Sequence, residues 1–210
     1  MDQEFKVGNL TISRASPEHL ETMHTLMHIA DHEKFVQNSS SLDVNNLAKR
    51  SSYAVLASEI RQPEAEAYLV SGPPFATQNP LMKDKDTQYY GFGVFQMQKK
   101  EMKISRFYTV KNPEYATGQT LLGGFISAAV DMNVPVKLTA SNPLAEEWFM
   151  KVAGFRKKKD TQPHKSVLDG DFELSISGNY KPNTLILSNP AKGLEKLENS
   201  TGYKFGKKNP

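Results

Sequence analysis

The segment from 102 to 140 constrains the fold of this chain more than any other. The run at 102–110 reads as a strand, and Leu122, Phe125, Ile126 and Ala129 then recur at helical spacing. They mark the buried face of a helix that follows Gly118 and runs to about Met132, after which 134–140 reads as a strand again. Strand, helix and strand in that order form a βαβ unit, which favours parallel pairing of the two strands and a helix packed on the sheet between them.

The flanking segments extend this unit. Leu10 and Ile12 alternate with polar neighbours in a short strand at 10–14. Ser16 is a natural N-cap, Pro17 suits the first helical position, and Leu20, Met23, Met27 and Ala30 form the core stripe of a helix ending near Phe35. A loop at 38–41, a second short helix at 42–49 and a strand at 53–60 are expected next. Residues 61–88 hold Pro63, Gly72, Pro73, Pro74, Pro80 and a charged run at 83–86, and read as a loop insertion interrupted by a short apolar piece at 67–70. The aromatic-rich run at 89–98 pairs with 102–110 as a hairpin across Lys99-Lys100. Beyond the βαβ unit, Asn142-Pro143 opens a helix through Lys151, with Gly154 as its C-cap. A strand at 172–176 and its antiparallel partner at 184–187 follow. The expected fold is α/β (α+β), a mixed, mostly antiparallel central sheet with helices on both faces. The expected organisation is a domain at 1–160 carrying the insertion at 61–88, a C-terminal β-hairpin within 161–190 that completes or extends the sheet, and a flexible basic tail at 191–210.

Composition removes several function classes. With no cysteine in 210 residues, disulfide scaffolds, thiolate zinc sites and cysteine nucleophiles are excluded. Twenty-six Lys and Arg are nearly matched by 23 Asp and Glu, and a net charge of +3 is too small a field to point to nucleic acid. No run approaches the roughly 18 apolar residues of a membrane helix. Residues 1–8 hold no apolar targeting core, so the cytoplasm, or else the nucleus, is the expected location.

The order Asn142, Ala145, Trp148-Phe149, Lys151 and Gly154-Phe155, together with the order of elements, resembles the GNAT superfamily of acyl-CoA-dependent N-acetyltransferases. The run Ile29-Ala30-Asp31-His32-Glu33-Lys34-Phe35 is more narrowly similar to the diamine (spermidine/spermine-type) members. The resemblance covers roughly residues 10–157. It implies acetyl-CoA as co-substrate, no metal, a primary amine on a small molecule or a protein as acceptor, direct transfer, and a homodimer. It places the coenzyme pyrophosphate on the turn and helix N-terminus around Tyr115, Gly118, Gln119 and Thr120, where backbone N–H groups and the helix dipole bind anions. Backbone N–H groups near Val110 would polarise the thioester, Asn142 would support the coenzyme arm, and Phe149 would border it.

Several positions depart from the family pattern. Tyr115 and Thr120 replace motif residues of the pyrophosphate turn. Phe149, with no proton to give, stands where members carry a tyrosine that protonates the thiolate. Ser105-Arg106 replaces an acidic pair that binds polyamine, and a cation there would repel such a substrate. These departures support an alternative, a catalytically inactive GNAT-fold protein serving as a binding or assembly module.

Candidate catalytic groups are Glu33 and Glu101 as general bases and Tyr108 as proton donor, each against the plainer reading of a solvated carboxylate or a packed ring. Tyr115 carries the same pair of readings as Tyr108. His24, His28 and His32 recur every four residues and read as a metal site, as an acid/base wall of a substrate pocket to which His28, His32 and Ser105 contribute, or as the polar flank of an amphipathic helix.

Overall fold

A computed structural model describes residues 4–37, 52–74, 83–84, 87–110, 116–140, 143–158 and 183–205, with backbone alone at 5, 31–37, 83–84 and 87. The strands are β1 (Glu4–Val7), β2 (Leu10–Arg14), β3 (Ala65–Gly72), β4 (Lys83–Asp84), β5 (Thr87–Gln98), β6 (Glu101–Thr109), β7 (Val136–Thr139), β8 (Arg156–Lys157) and β9 (Thr184–Leu187). The helices are α1 (Leu20–Gln37), α2 (Tyr53–Ile60), α3 (Thr117–Asp131), α4 (Pro143–Ala153) and α5 (Pro190–Thr201), with one 3-10 turn at Pro17–His19 before α1.

Among the described residues the strands form one sheet in the order β1-β2-β3-β5-β6-β7-β9-β8, with the short β4 paired to β5. Every pairing is antiparallel except β6 with β7, the two strands joined by the α3 crossover. The sheet is thus mixed and mostly antiparallel, as its sequence pattern implies.

Alternation along the strands builds two cores. On β3, Ala67 and Leu69 face one side, where Leu20, Met23, Leu26 and Met27 of α1 and Leu56 and Ala57 of α2 cover them. Tyr68 and Val70 face the other side, packed with Leu121, Leu122, Phe125 and Ile126 of α3. Each buried Leu, Met or Phe contributes roughly 1.5–3 kcal/mol relative to exposure, so both faces depend on their helices.

Three segments differ from the sequence expectation. The expected loop insertion at 61–88 contains β3, which lies in the sheet between β2 and β5. Residues 53–60 read as a strand, yet they form α2. Tyr53, Leu56, Ala57 and Ile60 stand at i, i+3, i+4 and i+7, and the two central ones are buried, so the helical period governs. Residues 190–201 read as loose tail, yet they form α5. The Asn189 side chain accepts the Lys192 N–H at 3.1 Å, Pro190 follows it, and Gly202 ends the helix at φ 72°. Leu197 is buried, and Phe205 lies flat on Gly123 of α3, where an added Cβ would meet ring carbons at 2.5–2.6 Å. Leu197 and Phe205, within the expected loose tail, are therefore part of the core. Of the expected C-terminal hairpin, 184–187 is β9, inserted between β7 and β8, while 172–176 and the helix at 42–49 lie outside the described residues.

Candidate active site

The site arises where β6 and β7 part. The parallel ladder runs Met102↔Val136, Lys103↔Lys137, Ile104↔Leu138 and goes no further. At the same level β6 carries a bulge, because Val94 pairs with Arg106 while Phe95 pairs with Ile104, leaving Ser105 as the extra residue. A bulge bends its strand and increases its twist, which turns the rest of β6 away from β7. The Ser105 hydroxyl donates to the Val94 carbonyl at 3.2 Å and pins the bulge.

Beyond the bulge, β6 continues to Thr109 along β5 alone. The Val110 N–H donates to the Tyr90 carbonyl at 2.8 Å, so that amide faces β5 and is already engaged. Antiparallel alternation then turns the peptide groups of Phe107 and Thr109 the other way, toward the gap that β7 has left. Near Val110, the N–H groups turned toward the gap are thus those of Phe107 and Thr109.

The N-terminus of α3 stands beside this gap. Its N-cap, Ala116, has no side-chain oxygen, so the first-turn N–H groups of Gly118 and Gln119 receive no cap from it. The Thr120 hydroxyl oxygen is buried and has no hydrogen-bond partner among the described residues. An uncapped helix start beside an orphaned hydroxyl has the donor set a phosphate needs. Gly118 is held close to Trp148: a Cβ there would lie 3.3 Å from the indole and 3.7 Å from the Thr109 hydroxyl.

Trp148 belongs to an aromatic seam on this face. Phe107 meets Trp148 at 5.9 Å and Phe149 at 5.4 Å between ring centroids, and Phe149 continues to Phe155 at 5.7 Å. Phe149 is therefore in the gap region, as its place on α4 implies, with rings as partners.

The opposite face of β6 is polar. Arg106 donates through Nε to Glu59 of α2 at 2.7 Å, with the two side chains only 14% and 13% exposed. Burial alone would lower the guanidinium pKa, but the Glu59 carboxylate and a hydrogen bond to Tyr108 offset this and leave it above its ordinary value. Tyr108 stacks on Phe92 at 5.4 Å. The Glu59–Arg106 pair also cancels the cation expected to repel a polyamine. Glu59 was missed in the sequence because a pairing across 47 residues leaves no local signal.

The remaining candidates sit apart. Glu101 begins β6 below the parting and binds Lys137 at 3.0 Å. His28 is exposed on α1, its Nε2 3.1 Å from that of His24. Glu33 and His32 lie in α1 where only the backbone is described, and Tyr115 and Asn142 lie outside the described residues. The structure thus gathers Ser105, Tyr108, Val110, Gly118, Gln119, Thr120 and Phe149 around the parting strands. Two concavities lie elsewhere, one of about 210 Å³ over β2 and β3 by Arg14 and Arg61, the other an open hollow along α4 by Glu147 and Met150. Residues 111–115 and 141–142 are outside the described residues.

No protein-family model and no curated protein sequence matches this chain. Solved structures do. PaiA N-acetyltransferase from Thermoplasma acidophilum, in complex with coenzyme A, superposes with a TM-score of 0.57 at 14% identity, over 86% of this chain and 99% of that one. A GCN5-related N-acetyltransferase from Rhodopseudomonas palustris gives 0.54 at 14%, over 88% and 99%. RimL, the ribosomal L7/L12 α-N-protein acetyltransferase in complex with coenzyme A, gives 0.53 at 12%, over 89% and 99%. At such identities the likeness speaks for architecture, and the chain has the fold of the GNAT N-acetyltransferases.

Proposed function

We propose that this chain transfers an acetyl group from acetyl-CoA to a primary amine, on a small molecule or a protein, by direct attack. The observation that carries the reading is the parting of β6 and β7 at the Ser105 bulge, with the Phe107 and Thr109 peptide groups turned to the gap and the α3 start beside it. It is supported by fold neighbours that were solved with coenzyme A.

Acetyl-CoA supplies an activated thioester. Gly118 and Gln119 N–H groups, with the Thr120 hydroxyl, hold the pyrophosphate, and the absent Cβ at Gly118 lets it approach. The Phe107 and Thr109 peptides pair with the amides of the coenzyme arm, and an N–H of this edge stabilises the carbonyl oxygen as charge develops. The amine nitrogen forms the new C–N bond as the C–S bond breaks. It gives one proton to water, the thiolate gains one from the Tyr108 phenol, which Arg106 steadies, and the water-borne proton restores the phenol. A cytoplasmic homodimer belongs to the same reading.

One observation favours a second reading. The indole lies against Gly118, and the Phe107–Trp148–Phe149 seam fills the α4 side of the gap, as in a module that no longer turns over. One titration separates the two. Trp148 is the single tryptophan, so its fluorescence reports directly on the site. The chain has no cysteine, so every thiol released with an amine present belongs to coenzyme A. Saturable fluorescence change with acetyl-CoA, followed by amine-dependent thiol release, is expected. No change at millimolar acetyl-CoA would refute the transferase reading.

A further inference from the structure

His24 and His28 stand one turn apart on α1, with their Nε2 atoms 3.1 Å from each other. Their rings meet edge to face at 4.4 Å between centroids. Tyr53 of α2 packs edge-on against His24 at 5.4 Å and fixes that ring from the side. A hydrogen bond between two imidazole nitrogens requires one of them to present a lone pair, so the pair already holds one nitrogen in the form that binds metal.

We propose that this pair binds a borderline divalent transition metal such as Zn²⁺ or Ni²⁺. Two metal–nitrogen bonds of about 2.05 Å, opened to about 100°, separate the nitrogens by about 3.1 Å. The observed spacing already meets that requirement. Both rings must turn to bring their lone pairs to one point, within the broad χ2 range of histidine. His28 is exposed, so an ion enters from solvent without moving the backbone. Among the described residues no group of three or more His, Cys, Asp or Glu gathers around an ion, and these two imidazoles leave the rest of the shell open to water. The site is therefore open and exchangeable, and it clips one turn of α1 where that helix meets Tyr53. It is independent of the transferase reading.

The test titrates Zn²⁺ alone and Ni²⁺ alone into the full chain by calorimetry, in wild type, His24→Gln, His28→Gln and His164→Gln. One ion per chain is expected, with affinity lowered more than about tenfold by either α1 substitution and unchanged by His164→Gln. Saturating Zn²⁺ should raise the wild-type Tm by about 5 °C and leave that of His28→Gln unmoved. A metal-free urea midpoint equal to wild type confirms that His28→Gln is folded. Equal affinity in wild type and His28→Gln, or no wild-type binding at about 1 mM ion, overturns the proposal.

Discussion

Gly123 and Phe205 offer a perturbation whose sign depends on its background. Glycine inside an exposed helix costs about 1 kcal/mol relative to alanine. In α3, however, a Cβ at Gly123 would lie 2.5–2.6 Å from three carbons of the Phe205 ring, far inside the roughly 3.5–4.0 Å of an ordinary carbon contact. Gly123→Ala must therefore expel the ring. Phe205 is only 4% exposed, and losing that burial costs about 2–3 kcal/mol. The helix gain offsets part of this, leaving a net loss of about 1–2 kcal/mol, or roughly 2–8 °C in Tm. Phe205→Ala alone should cost about 3 kcal/mol. In that background the clash is gone, and Gly123→Ala should stabilise by about 1 kcal/mol. Urea denaturation followed by far-UV circular dichroism on the four proteins gives the cycle, with a coupling of about 2–3 kcal/mol. If Gly123→Ala stabilises the wild type, or if the two substitutions add, the docking of the chain end on α3 is refuted.

Three further outcomes follow from named contacts. Glu59→Gln leaves the buried Arg106 guanidinium without its carboxylate and should cost about 3 kcal/mol, most of it recovered in Glu59→Leu/Arg106→Met; an unchanged urea midpoint for the single variant would contradict the pairing. The Lys204 ammonium, which donates to the Glu198 carboxylate, holds its pKa below the ordinary value; slight burial opposes the shift and the Phe205 N–H adds to it. A lowered folded pKa means that this contribution is complete above the ordinary carboxylate range and fades as pH falls through the lowered value. The protection factors of the Tyr203 and Phe205 amides, corrected for intrinsic exchange, should therefore fall in acid, less so in Glu198→Gln, and an acid response identical in both proteins would exclude the contact as its cause. Trp148→Ala should tighten acetyl-CoA binding by calorimetry if the half-buried indole has to leave Gly118, by about 5–30-fold for 1–2 kcal/mol of displaced packing; weaker binding would make the indole a ligand contact instead.

What the sequence reveals of this fold follows the range over which each determinant acts. The hairpin across Lys99-Lys100, the α3 stripe and the start of α4 at Pro143 are written in neighbouring residues. So is the end of α4, where Gly154 takes φ 78°. The capping pattern of α5, Asn189-Pro190 and Gly202, is equally local, but a sparse apolar face among lysines masks it. Leu197 and Phe205 find their partners on α3, far back in the chain. In α2, four small or apolar residues in succession suit a strand as well as a helix, and packing against α1 decides between them. The site is the least legible part. The Ser105 bulge is a property of register between β5 and β6, and the parting of β6 from β7 is a property of three strands together. Neither is encoded by a residue type.

That distinction explains how this architecture persists where sequence comparison finds no match. The side chains that mark the resembled family are the ones that differ here: Phe149 has no hydroxyl, Ser105-Arg106 has no carboxylate, and Tyr115 and Thr120 interrupt the pyrophosphate motif. The parts of the site supplied by main chain are present. The Phe107 and Thr109 peptides face the gap because strand alternation puts them there. The N–H groups of Gly118 and Gln119 lack intrahelical acceptors because every helix start does. None of these donors depends on what its residue is, and at Gly118 the absence of a Cβ lets the Trp148 indole lie close to the helix start. On the reading proposed above, pyrophosphate binding and oxyanion stabilisation would rest on backbone donors positioned by the bulge, the crossover and the helix start. In the same reading acceptor choice would rest on side chains, and on the opposite face of β6 Glu59, Arg106 and Tyr108 form a network of this chain's own.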